Sequence, residues 1–138
     1  MATDRWHRPT IVSSVAFAAF SAAHLIDDFV SDVPREFNLT VPITLLLALA
    51  FMAALVGLVA AAAAHSPRAY LGLTIAGSII ALAQLLKSAP EMAQPGPWHL
   101  GLPSELLAVG LGVSAVLTAV FSLLAWRDTR NRAAGLRK

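Results

Sequence analysis

His24-Leu25-Ile26-Asp27-Asp28 sets one imidazole and two carboxylates at i, i+3 and i+4, which on a helix is a single face. They close a stretch that is otherwise apolar from Ile11 to Val30. Ionisable groups in such surroundings are costly, so they have partners or a task. Several chemistries suit them. His24 and one carboxylate offer nitrogen and oxygen ligands to a metal, with Glu105, Glu91 or His99 completing the shell. His24 and His99 would serve as axial ligands of a haem. An acid that orients an imidazole can move a proton, either for transport or as the base of an intramembrane enzyme. The plain alternative is a salt-bridge network: Lys87 neutralises Asp27 or Asp28, Gln84 bonds the remaining oxygen, and His24 donates to a carbonyl.

The elements that hold these residues follow from composition. The chain has 138 residues, 57% of them hydrophobic and 13% charged, too apolar for an ordinary soluble domain. Four runs, near 11–30, 42–64, 70–89 and 103–126, each approach the roughly 20 helical residues that cross a bilayer. The expected fold is therefore all-α, an integral membrane four-helix up-and-down bundle forming a single transmembrane domain over 1–138. The eight prolines fall between runs or in their first turns, where a missing N–H is tolerated. Thr10 is placed to cap the first helix. Phe20-Ser21-Ala22-Ala23 loosely matches a signal-peptide cleavage site, but the apolar run continues past it, and the expectation is that the segment is retained.

If the runs alternate, Arg5, Arg8, Arg68, Arg127, Arg130, Arg132, Arg137 and Lys138 share one side, leaving Arg35 and Lys87 on the other. The positive-inside rule then makes both termini cytoplasmic, with 127–138 a basic tail on anionic lipid. The expected location is the plasma (inner) membrane of a prokaryote. The positive charge is topological, so no nucleic-acid partner is implied. No cysteine is present, which removes thiol chemistry and disulfides. Asn38-Leu39-Thr40 matches a glycosylation tripeptide of little weight.

In that topology His24, Asp27 and Asp28 share a level with Gln84, Lys87 and Glu105, giving an expected site for a ligand or cation in the outer leaflet. Phe17, Phe20 and Ser21 lie one and two turns deeper on roughly the same face. They are the expected lining of a pocket for a small hydrophobic molecule, with ordinary core packing as the alternative. Gly110, Ser114, Thr118 and Ser122 recur every four residues in the last run. That stripe reads first as a close helix seam and second as a polar track.

The functional expectation is a small non-catalytic membrane protein, an accessory subunit of a larger complex or a binder of a small hydrophobic or cationic ligand. A proton- or cation-coupled transporter acting as a homo-oligomer is the first alternative. A metal- or lipid-dependent intramembrane enzyme is the second. Metal and haem both stay open as cofactors.

Overall fold

A computed structural model of the chain describes residues 5–30, 40–92 and 102–135, with 88–92 and 102 given by their backbone alone. Among the described residues the protein is all-helical: α1 (His7–Val30), α2 (Val41–Ala63), α3 (Pro67–Met92) and α4 (Leu102–Gly135). All four are long and apolar enough to cross a membrane. The chain is therefore read as an integral membrane protein.

Three of the four helices are longer than their apolar runs suggest, and α2 matches its run to within one residue at each end. α1 begins at His7, with Pro9 in the first turn, where proline is tolerated. Thr10 is not the cap expected of it. It lies inside the helix, and its hydroxyl donates to the Trp6 carbonyl at 2.7 Å. α3 continues through Pro90 to Met92, so that proline sits in a last turn rather than between runs. α4 continues to Gly135, which makes most of the basic tail helical. There Arg132 bonds Asp128 one turn back, and Arg130 lies over the Trp126 ring at 4.9 Å. Positions 31–39 and 93–101 lie outside the described residues, and with them the expectations on Asn38 and His99.

In lipid, helices associate through packing rather than through the exclusion of water, and small residues set how closely they approach. α4 is the centre of the bundle, packed most extensively on α3 and α1, while α2 touches α1 and α3 more lightly. Gly77 of α3 fits against the backbone of α4: a Cβ there would lie 2.6 Å from the Ala115 carbonyl. Gly110 of α4 receives the Phe20 ring of α1, and Trp6 stacks on Phe121 with centroids 6.1 Å apart. Phe17, Leu55, Tyr70, Leu73, Leu111 and Ala115 form the core. α2 is the most apolar of the four and the least buried. Its one interior hydroxyl, Thr44, folds back onto the Thr40 carbonyl.

The turn joining α2 to α3 is a Schellman motif. Ser66 N–H donates to the Ala61 carbonyl and His65 N–H to the Ala62 carbonyl. The motif needs a left-handed residue at His65, where φ is 59°. Glycine takes that conformation freely, whereas a residue with a Cβ gives up about 1 kcal/mol.

Candidate functional site

Helix α1 carries the outer cluster. His24 Nε2 lies 3.9 Å from Asp28 Oδ2, the pair one helical turn apart, with 14% and 23% of the two side chains exposed. His24 Nδ1 and Asp27 Oδ2 are buried without a hydrogen-bond partner. The carbonyl bond expected for His24 is therefore not made. Lys87 is exposed, and among the described residues no ion pair joins it to Asp27 or Asp28. Among the described residues the Lys87 arm of the expected salt-bridge network is thus not made.

Five of the six expected residues divide between two flanks of α4. Gly110 faces Phe20 of α1, while Gly112, two positions on, faces Gln84 of α3. Gln84 lines a groove between α3 and α4 to which α1 contributes nothing. Glu105 precedes Ala108 and Val109, which line the same groove, by three and four residues and so stands on their ridge. It also sits in the first turn of α4, where a carboxylate complements the helix dipole. His24, Asp27 and Asp28 thus remain together on α1, whereas Gln84 and Glu105 belong to the groove. No group of three or more His, Asp or Glu residues placed to hold a metal occurs among the described residues. The Glu91 side chain and His99, named as metal or haem ligands, lie outside them.

Among the described residues the buried serines and threonines lie on α1 and α4. The buried polar residues are Thr10, Ser13, Ser14 and Ser21 on α1, with Ser104, Ser114, Thr118 and Ser122 on α4. Some are satisfied within their own helix: Ser13 donates to the Thr10 carbonyl and Ser114 to the Leu111 carbonyl. Ser14, Ser21, Thr118 and Ser122 have no partner. With His24 and Asp27 they make six buried orphan groups among the described residues, all on α1 and α4. Buried polar atoms are nearly always bonded, so orphans call for an explanation such as water or a transported species. Phe17, expected to line a pocket, is instead a fully buried core residue, and Phe20 is wedged on Gly110.

The other end of α1 holds a cluster that the sequence did not disclose. His7 Nδ1 lies 2.8 Å from the hydroxyl of the fully buried Tyr70, and its ring stacks on His65 with centroids 3.8 Å apart and planes 19° from parallel. The partners are 63 and 58 positions away in the chain. The one available signal was a histidine where a Schellman turn favours glycine.

No family model, curated protein or solved structure matches this chain.

Proposed function

We propose that the protein is a small, non-catalytic, proton-coupled membrane protein, with the His24/Asp27/Asp28 cluster as its outer proton-binding site and the α1–α4 seam as the path inward. One observation carries this reading. Every buried orphan polar group among the described residues lies on those two helices. On α1 they run from Ser14 to Asp27, about 20 Å along the axis. Bridging water needs polar partners in otherwise dry surroundings, and these hydroxyls supply them. Among cations the proton is favoured, because among the described residues no group of three metal ligands accompanies the cluster.

The orientation belongs to the same proposal. Trp6 against Phe121 and Phe20 against Gly110 support helices that alternate up and down. The cationic residues 5, 8, 68, 127, 130 and 132 would then lie at the cytoplasmic side of a prokaryotic plasma membrane. Acting as a homo-oligomer or within a larger complex is compatible with the exposed α2.

The test is proton uptake into proteoliposomes carrying an internal pH dye, driven by an imposed membrane potential. The wild-type protein should exceed protein-free vesicles. Asp27→Asn, and Ser21→Ala combined with Thr118→Val, should lower the rate at least tenfold, while Lys87→Ala should leave it unchanged. Wild-type flux no greater than that of empty vesicles, or full flux in Asp27→Asn, would refute the reading.

A further inference from the structure

Along the outside of the bundle, α3 and α4 leave a groove of about 720 Å3, within the range of small-molecule sites. Its floor is made of small residues, Ala81, Ala108 and Gly112, and its walls include Leu82, Val113 and Val116. Only Ser78 and Gln84 among its lining residues carry a polar side chain, and none is charged. Along α4 the groove extends from Ala108 to Val120, about 18 Å at 1.5 Å per residue. Both helices cross the bilayer, so the slot runs alongside the lipid tails and opens towards them.

The slot has a charged head at one end. Glu105 stands one turn beyond Ala108 and Val109, and Gln84 lies at the same end on α3. Ser78, Leu82 and Leu85 line the groove at helical spacing, and Lys87, two residues past Leu85 but three past Gln84, stands beside Gln84 at the edge of the groove rather than over its centre.

We propose that this groove binds a single-tailed amphiphile drawn from the bilayer, its alkyl chain in the slot and its cationic head against Glu105. A second copy of the chain is the competing occupant. The surface it would offer most readily is α2, the least buried helix, yet Val41–Ala63 contains no cationic residue to meet the carboxylate. An anionic amphiphile would bring like charge to it.

The experiment holds the tail constant and varies the head. The protein in nanodiscs of zwitterionic lipid is exposed to dodecyltrimethylammonium, dodecanol or dodecyl sulfate, and native mass spectrometry counts the bound molecules. The ammonium should be retained at least tenfold more than the sulfate, and Glu105→Gln should reduce that preference to about twofold or less. Gly112→Leu should abolish retention of all three. A Cβ on Gly112 meets only the Gln84 Cβ, at 3.9 Å, so the larger side chain grows into the slot. Ser78→Leu, from the exposed rim, fills the groove independently should Gly112→Leu fail to fold. Equal retention of the three heads by the wild type would overturn the proposal. So would unchanged binding in the filled variants, or a dimer that Gly112→Leu converts to monomer.

Discussion

Replacing Gly77 by alanine tests a close approach of helix to main chain, at the floor of the α3–α4 contact. The new methyl would lie 2.6 Å from the Ala115 carbonyl oxygen, 3.0 Å from the Ala119 nitrogen and 3.2 Å from the Ala119 Cβ. Favourable carbon contacts fall near 3.5–4.0 Å. Two of the three obstacles are main-chain atoms that cannot rotate away, so α3 and α4 must separate. A radial gap of even 0.5–1 Å forfeits a quarter to a half of each dispersion contact along the seam. That places the cost near the upper end of the overpacking range, about 3 kcal/mol. Alanine's better helix propensity returns about 1 kcal/mol, for a net loss of about 2 kcal/mol.

Gly57→Ala is the matched control. No atom lies within 4 Å of its Cβ position, so only the propensity gain of about 1 kcal/mol remains. The two variants make the same chemical change in neighbouring helices and should differ by about 3 kcal/mol, roughly a hundredfold in the unfolding equilibrium. Unfolding in mixed micelles of mild detergent and dodecyl sulfate, followed by tryptophan fluorescence to which Trp6 stacked on Phe121 contributes, reads this. Equal stability of the two variants, or a Gly77→Ala protein as stable as the wild type, would refute the close α3–α4 packing. It would also remove the basis for the groove's shape.

Three further outcomes follow from the same geometry. His65→Gly should match the wild type within about 0.5 kcal/mol in the micelle assay, since relief of the left-handed conformation offsets the lost ring stacking. His65→Ala keeps that strain without the stack and should fall about 1 kcal/mol below His65→Gly. Lys87→Ala should change stability by less than about 0.5 kcal/mol, as expected for an exposed residue with no ion pair among the described residues, and a larger loss would restore the salt-bridge network. Thr118→Val removes an orphan hydroxyl at similar size, so it should be neutral or stabilising by up to about 1 kcal/mol; marked destabilisation would mean that the hydroxyl is bonded.

Composition and hydropathy make the four spans legible, but not their ends. Charged and proline residues such as Arg8, Pro9 and Arg132 interrupt an apolar run without interrupting a helix, because long cationic side chains reach out to the interface while the backbone continues. The site was legible in one dimension only. Helices that alternate give each residue an expected depth, with Gln84 level with His24, Asp27 and Asp28. The contacts made are those of Gln84 and of Phe20, one turn before His24, which meet α4 at Gly112 and Gly110. They do so from different flanks. Depth alone left open the direction around the axis, and that direction separates Gln84 and Glu105 from His24 and Asp28. The His7–Tyr70–His65 contact was hidden for a related reason: nothing local to His7 records a partner 63 positions away.

The stripe Gly110, Ser114, Thr118 and Ser122 shows what sequence periodicity leaves undivided. Hydroxyls in membrane helices ordinarily fold back onto a carbonyl three or four residues earlier. Thr10, Ser13, Thr44, Thr74, Ser114 and Thr129 all do so here. Such groups are self-sufficient and need no ligand. Ser14, Ser21, Thr118 and Ser122 are buried too, yet make no such bond. One spacing of four thus joins residues of three kinds: a glycine that admits Phe20, a serine satisfied by its own helix, and two hydroxyls left open inside the bundle. A purely structural seam would lose nothing if alanine replaced the last two, because an alanine buries no unpaired polar atom. If the seam carries protons, those two positions are where that replacement would cost flux while sparing stability. Measuring both quantities on the same variant separates the two roles.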